Sequence, residues 1–229
     1  MAIMAKAPRV GDAKTRLVPP LSPEQAAALS ACFIRDAAEN IATAAQQTPL
    51  DGYIAFAPPD AEAEFRPLLA RDTRLLPSRR QGLCASLHDA SADLLGAGYG
   101  AVCLVNSDSP TLPTSILIDA ARALTLSGDR LILGPAEDGG YYLIGLKQAH
   151  RRLFEDIAWS TPRVLAQTEE RAREIGLATT RLPVWYDVDD IGSLRRLNAQ
   201  LRQATADGPA IHPARHTLAF LRRLFPDNA

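Results

Sequence analysis

The segment that most constrains the fold is Ala101-Val-Cys-Leu-Val105, five apolar residues with no polar alternation. A strand with one wet face alternates apolar and polar residues. An unbroken apolar run is the pattern of a strand covered on both faces, as central parallel strands are. Gly96, Gly98 and Gly100 precede it and stop the helical run Leu83–Leu95, whose Leu83, Leu87, Ala90 and Leu94 share one face. Asn106-Ser-Asp-Ser-Pro110 follows it as a turn.

The flanking chain repeats this alternation. Pro23–Ala45 reads as a long Ala-rich helix with Ser22 at its N-cap. Met1–Ala5, Gly52–Ala57, Arg74–Leu76, Arg130–Leu133, Tyr141–Leu146 and Ala178–Leu182 read as strands. Ala61–Ala70, Thr114–Leu126, Pro162–Ile175 and Gly192–Gln203 read as helices. The order predicts an α/β sandwich around a mostly parallel sheet with right-handed crossovers. Ligands of such a sheet bind beyond the carboxyl ends of its strands. With 229 residues, 47% of them hydrophobic, one domain is expected over residues 1–204. Residues 205–229 read as a linker at Asp207-Gly-Pro209 and a short amphipathic helix over Thr217–Phe225.

A formal charge of −1 argues against a general nucleic-acid coat or a polybasic membrane binder. No apolar run approaches the ~20 residues of a membrane span. Lys6, Pro8 and Arg9 come too early for the apolar centre of a secretory signal, so a cytoplasmic location is expected. Cys32, Cys84 and Cys103 lack a CxxC spacing and read as reduced, small apolar residues. The four His residues read as dispersed, and His88 and His150 as non-catalytic.

Four segments carry chemistry. The first is Lys6-Ala-Pro-Arg-Val-Gly-Asp-Ala-Lys-Thr-Arg16, a loop after the first strand in a chain with 22 Arg and only 3 Lys. Gly11 lets backbone approach an anion, and Lys6, Lys14 and Arg16 neutralise charge, as in a phosphate cradle. The glycine spacing is neither that of a P-loop nor GxGxxG, and a solvated basic loop has the same composition. The second is Ser107-Asp108-Ser-Pro110. One carboxylate at the sheet edge suits Mg²⁺ or Mn²⁺, which take few protein oxygens plus phosphate and water; a turn-forming Asp has the same neighbours. The third is Asp187-Val-Asp-Asp190, where crowded carboxylates need a cation or hydrogen bonds. Asp189 is the metal candidate, Asp187 the secondary one, and Asp190 an N-cap. The fourth is Glu137-Asp-Gly-Gly-Tyr141, a hairpin turn or an acceptor site with Asp138 at its centre. Gln81-Gly82 at a helix start is a candidate base or ribose contact. Trp159-Ser-Thr161 is a candidate cap and packing anchor.

The ordered set Lys-x-Pro-x-x-Gly-x-x-Lys-Thr-Arg-Leu, Ser-Asp-Ser-Pro-x-Leu-Pro, Asp-Gly-Gly-Tyr-Tyr-Leu-Ile-Gly-Leu, Trp-Ser and Asp-Val-Asp-Asp resembles the GT-A-type nucleotide-diphospho-sugar transferase superfamily. It is most similar to the bacterial glycosyltransferase-like branch related to 2-phospholactate guanylyltransferase. The resemblance spans residues 1–201 and implies a Rossmann-like GT-A three-layer sandwich and a nucleotide donor. It puts Gly11, Lys14 and Arg16 at the donor phosphates and Asp108 and Asp189 at a divalent metal. The relatives' Asp-x-Asp-Thr-Pro-Glu-Asp-Leu reads Asp187-Val-Asp-Asp-Ile-Gly-Ser-Leu194 here, and Asn106 replaces a common glycine.

The expected activity is Mg²⁺- or Mn²⁺-dependent nucleotidyl transfer from a nucleoside triphosphate to a small phosphorylated acceptor, with release of pyrophosphate. Lys14, Arg16, Asp108 and Asp138 would serve the chemistry, and Lys6, Gly11, Thr15, Gln81, Gly82 and Ser107 the nucleotide. Asp138, Gly139, Gly140 and Tyr141 would receive the acceptor. Two alternatives stand beside it: glycosyl transfer from a nucleotide sugar, with Glu137 or Asp138 as base, and a non-catalytic nucleotide-binding module.

Overall fold

The computed structural model describes residues 1–70, 72–80, 82–204 and 210–226. The expected linker at 207–209 lies outside them. The strands are β1 (Ala2–Lys6), β2 (Tyr53–Ala57), β3 (Arg74–Pro77), β4 (Val102–Asn106), β5 (Arg130–Pro135), β6 (Tyr141–Leu146) and β7 (Ala178–Arg181). The helices are α1 (Pro23–Ala45), α2 (Glu62–Phe65), α3 (Leu83–Gly96), α4 (Thr114–Thr125), α5 (Val164–Glu174), α6 (Ile191–Gln203) and α7 (Arg215–Leu224).

The strands form one sheet in the order β3-β2-β1-β4-β6-β5-β7. β1, β2, β3 and β4 run parallel, as do β5 and β7. β6 is antiparallel to both neighbours. The short connection 136–140 explains this, because a tight turn can only return the chain antiparallel. β4 lies near the middle, and its residues 102–105 are all buried, as their unbroken apolar run requires.

Side-chain alternation splits the core into two layers. Ile3, Ile54 and Val105 face α1 and α4, packing with Ile34, Ile41, Ile116 and Leu117. Ala2, Leu104 and Ile144 face α3 and α5, packing with Leu87, Leu94 and Ala172. The result is the expected α/β three-layer sandwich. A third cluster joins Leu17, Leu29 and Phe33 to Val188, Leu194, Leu197 and Leu221. It pins the loop after β1, the acidic stretch before α6, and α7 onto α1.

α1 has the expected Ser22 cap. The Ser22 side chain accepts from the Gln25 N–H, and the Gln25 side chain returns the bond to the Ser22 N–H. α2 is shorter than the expected Ala61–Ala70. Pro67 has no N–H to continue an α-helical ladder, and a 3-10 turn over Arg66–Leu68 takes its place. The last helix starts at Arg215, earlier than the local pattern suggests. Its first-turn N–H groups, at His216 and Thr217, donate to the Asp36 carboxylate at 3.0 and 2.8 Å, a cap supplied by α1. Among the described residues no helix is long and apolar enough to cross a membrane.

Candidate active site

Parallel pairing sets Met4 of β1 opposite Asn106 of β4. The loops leaving these strands are therefore neighbours at the carboxyl edge of the sheet. Lys14 is left-handed (φ 51, ψ 40) and opens a 3-10 turn over Thr15–Leu17. Leu17 is wholly buried in the third cluster. That anchor accompanies a Lys14 side chain only 7% exposed. Its Nζ lies 2.8 Å from Asp108 Oδ1 and 3.0 Å from Asp189 Oδ1. It also donates to the Val188 carbonyl at 2.8 Å, and it sits 5.4 Å from the centre of the Phe33 ring.

The two acidic loops are joined by backbone as well, since the Val188 N–H donates to the Asp108 carbonyl at 2.9 Å. Arg16 approaches from the solvent side, 72% exposed, and pairs with Asp189 Oδ2 at 2.7 Å. Burial opposes the Lys14 charge, but the charges and hydrogen bonds of Asp108 and Asp189 outweigh it, and the ammonium is held above its ordinary range.

Ammonium has three N–H donors, and Lys14 has three acceptors here. It reaches a phosphate only by giving one of them up. Arg16 is the freer cation. Ser107 Oγ donates to Asp108 Oδ1 at 3.1 Å, so Ser107 and Lys14 address the same oxygen, while Oδ2 has no hydrogen-bond partner among the described residues.

Asp187 lies deeper. Its Oδ1 accepts from Asn106 Nδ2 and Ser109 Oγ, each at 2.6 Å. Burial pushes its carboxyl up to about 6; the nearby Asp108 and Asp138 add to the rise, and the Ser109 and Asn106 hydrogen bonds oppose it. Asn106 Oδ1 is buried without a partner among the described residues. Asp190 caps α6 through the Ser193 N–H at 2.8 Å, the role expected of it.

Two hollows meet at this edge. The larger, about 800 Å³, is lined by Lys6, Arg9, Arg79, Arg80 and Gly82. The smaller, about 440 Å³, is lined by Arg16, Asn106, Asp138, Tyr141, Asp187 and Asp189. Met4, Leu83 and Ser160 wall both. The first is rich in Arg, though Arg9 pairs with Glu64, Arg79 with Asp93 and Arg80 with Asp89. The second is rich in carboxylates.

The remaining sequence candidates are placed as follows. Lys6 and Gly82 line the larger hollow. Gly11 (φ +86) and Thr15 are exposed on the loop. Gln81 lies outside the described residues. Asp138, Gly140 and Tyr141 line the smaller hollow, but Asp138 Oδ1 is bonded to the Gly140 N–H at 2.8 Å, and the Tyr141 hydroxyl is buried with no partner among the described residues. Gly139 serves packing: with φ +89, a Cβ on it would lie 2.3 Å from the Pro162 carbonyl oxygen. Glu137 is tied to Arg196 at 2.6 and 3.0 Å. Trp159 packs on the second core layer and walls the smaller hollow.

His150 bonds Asp129 at 2.6 Å, and the ring of His88 meets Phe154 edge-on. The three Cys are free. Sequence reading missed the roles of Asn106, Ser109 and the Val188 carbonyl. The first two flank Asp108 in the motif and were findable there; a main-chain acceptor leaves no sequence signal.

The oxygen donors fit a hard divalent cation. Asp108 and Asp189 both reach a single point, now held by the Lys14 ammonium, and Asp108 keeps an oxygen to offer. Mg²⁺ and Mn²⁺ need only one or two carboxylates when phosphate and water complete the shell.

A family model described as "Uncharacterized protein conserved in bacteria (DUF2064)" matches residues 40–161, more than half of the chain. The chain belongs to DUF2064. No curated protein matches it. Among solved structures, this DUF2064 chain is similar to a provisionally named nucleotide-diphospho-sugar transferase from Desulfovibrio desulfuricans G20. The two are 27% identical with a TM-score of 0.82, over 97% of this chain and 93% of the other. It also resembles 4-diphosphocytidyl-2C-methyl-D-erythritol synthase from Anaerococcus prevotii DSM 20548, with 8% identity, a TM-score of 0.56 and coverage of 88% and 98%. The inositol-1-phosphate CTP transferase from T. maritima gives 11%, 0.52, and coverage of 90% and 97%. The last two likenesses are of fold. The Rossmann-like nucleotide-sugar transferase fold implied by the motifs is thus the fold of this DUF2064 member.

Proposed function

We propose that this protein is a nucleotide-utilising transferase that moves a nucleotidyl group from a nucleoside triphosphate to a small phosphorylated acceptor and releases pyrophosphate. The carrying observation is the pairing of Lys14 with Asp108 and Asp189 at 2.8 and 3.0 Å at the carboxyl edge of the sheet, with Asp189 on the wall of the smaller hollow. The names of the fold neighbours, two of them cytidylyl-type enzymes, support the same reading.

In this reading the larger hollow takes the donor. Lys6, on the wall of the larger hollow, and Arg16, reaching from the adjoining smaller one, meet its phosphates by charge and hydrogen bond. Asp108 and Asp189 would hold Mg²⁺ or Mn²⁺, which when bound neutralises charge on the phosphate oxygens. Lys14 holds the two acidic loops in register. The smaller hollow takes the acceptor. An acceptor phosphate is already a nucleophile and needs no general base, so positioning and charge stabilisation carry the reaction. This agrees with a site lacking a paired His or Cys nucleophile among the described residues.

Glycosyl transfer from a nucleotide sugar is the second reading, favoured by the name of the Desulfovibrio relative. A hydroxyl acceptor needs a base, and Asp138 is one of the carboxylates of the smaller hollow. The two separate by product. The purified protein is incubated with Mg²⁺, each nucleoside triphosphate and a set of sugar and polyol phosphates, and in parallel with nucleotide sugars. Pyrophosphate release that needs an acceptor supports nucleotidyl transfer; nucleoside diphosphate released from a nucleotide sugar, with no pyrophosphate, overturns it.

A further inference from the structure

Away from this site, the C-terminal segment brings a second polar cluster onto α1. Asp36, Glu39 and His212 each present a ligand atom, and these atoms all lie within 4.8 Å of one another. Among the described residues, this is the one group of three or more His, Cys, Asp and Glu that meets this distance. His216, four residues after His212, bonds Glu39 Oε1 through Nε2 at 2.8 Å.

Part of this cluster has a structural explanation. Asp36 is fully buried because it caps α7. That does not explain His212, which is 4% exposed and whose Nε2 has no hydrogen-bond partner among the described residues. An orphaned buried nitrogen is costly, and a ring nitrogen of His212 lies within 4.8 Å of a carboxylate oxygen of each of Asp36 and Glu39. A neutral imidazole with a free ring nitrogen is the form that binds a metal.

We propose that Asp36, Glu39 and His212 bind one zinc-class divalent ion that clips the C-terminal segment to α1. A nitrogen ligand beside two carboxylates selects Zn²⁺ over Mg²⁺, which prefers oxygen alone. The supporting bonds are in place: two main-chain N–H groups orient Asp36, and His216 orients Glu39, as outer partners orient ligands in metal sites. Tetrahedral ligands at about 2.0–2.2 Å from zinc stand roughly 3.3 Å apart, so a small inward movement of the side chains closes the shell. The half-exposed Glu39 leaves a side for water as the fourth ligand.

The clip would reach the loop that carries Asp108. The His212 N–H donates to the Thr111 carbonyl at 3.3 Å, and Asn40 Nδ2, one residue after Glu39, donates to the Leu112 carbonyl at 2.7 Å.

The test is calorimetric titration of the full, EDTA-treated chain with Zn²⁺, repeated with Co²⁺ to read its visible absorption. The expected result is one Zn²⁺ per chain, a raised Tm, and a tetrahedral-type Co²⁺ spectrum. Glu39→Gln and His212→Gln should each weaken Zn²⁺ by about tenfold or more, no less than loss of a supporting partner costs. Asp108→Asn should bind Zn²⁺ like the parent, separating this site from the one at the sheet edge. Glu39→Gln changes a half-exposed residue, so it stays folded even if His212→Gln does not. Absence of Zn²⁺ binding, or binding unchanged in Glu39→Gln and lost in Asp108→Asn, overturns the proposal.

Discussion

Lys14 Nζ lies 2.8 Å from Asp108 Oδ1, and all three of its N–H donors are committed to groups of its own chain. Arg16, two residues on, has one carboxylate partner and stands mostly in solvent. The two cations should therefore answer mutation differently. Lys14→Met leaves Asp108 and Asp189 without their shared cation and should cost about 2 kcal/mol of folding stability, below the 3–5 kcal/mol of a fully buried pair because the carboxylates are partly exposed. Arg16→Ala should change stability by well under ~1 kcal/mol and weaken nucleoside triphosphate binding by about tenfold, the worth of one charge-assisted hydrogen bond. Urea unfolding and nucleotide titration of both variants check the contrast. A stable Lys14→Met with selectively lost nucleotide affinity would show that Lys14 serves the phosphates.

Asp187 tests whether the acidic cluster is a cost carried for function. Its carboxylate is buried beside Asp108 and Asp138. Asp187→Asn keeps the shape and keeps an oxygen for Asn106 and Ser109, while removing the charge. The variant should gain about 1–2 kcal/mol at pH 8, a rise of roughly 2–4 °C per kcal/mol in a chain of this size, and lose transferase activity. Differential scanning calorimetry reads the first, and the product assay reads the second. A lower Tm would mean that the ionised carboxylate is needed to hold the two loops.

Gly11 and Gly139 share a positive φ and a place in a candidate ligand loop, yet their surroundings differ. A Cβ on Gly11 meets nothing within 4 Å, whereas one on Gly139 collides with the Pro162 backbone. Gly11→Ala should cost only the conformational strain, about 1 kcal/mol. Gly139→Ala should cost ~3 kcal/mol or more, since backbone must move as well. Chemical denaturation of the pair measures this. Equal costs would show that Pro162 yields easily.

Most elements were legible because their signals are local. The Ala101–Val105 run, the Ser22 cap and the Asp190 cap each depend on a few adjacent residues. The convergence of Lys14, Asp108 and Asp189 was anticipated because each follows a strand and loops after strands gather at one sheet edge. What stayed hidden depends on distant partners. The cap of α7 comes from Asp36, some 180 residues away, so the start of that helix was misplaced. His212 and His216 read as dispersed because their carboxylate neighbours stand on α1, at the other end of the chain. Lys14 read as a phosphate ligand because charge is visible in sequence; its contacts with Asp108, Asp189 and the Val188 carbonyl are not.

The wall of the larger hollow supplies a pH test. Asp89 on α3 accepts from Arg80 through both carboxylate oxygens, with Nε at 2.7 Å from Oδ2. The Arg80 hydrogen bond holds the Asp89 carboxyl below its usual range despite opposition from burial, with His88 and Arg79 assisting. A group with a depressed folded-state pKa adds stability above its unfolded value, near 3.9 for Asp, and loses that stability as pH falls through the folded value. Asp89→Asn should therefore melt lower than the parent at pH 7, and the gap should narrow as pH drops below about 4. Because Arg80 also lines the hollow, freeing it should alter nucleotide affinity in the same variant. Melting curves from pH 3 to pH 8 settle the first point: a gap that does not shrink in acid means that packing, and not the ion pair, is what Asp89 contributes.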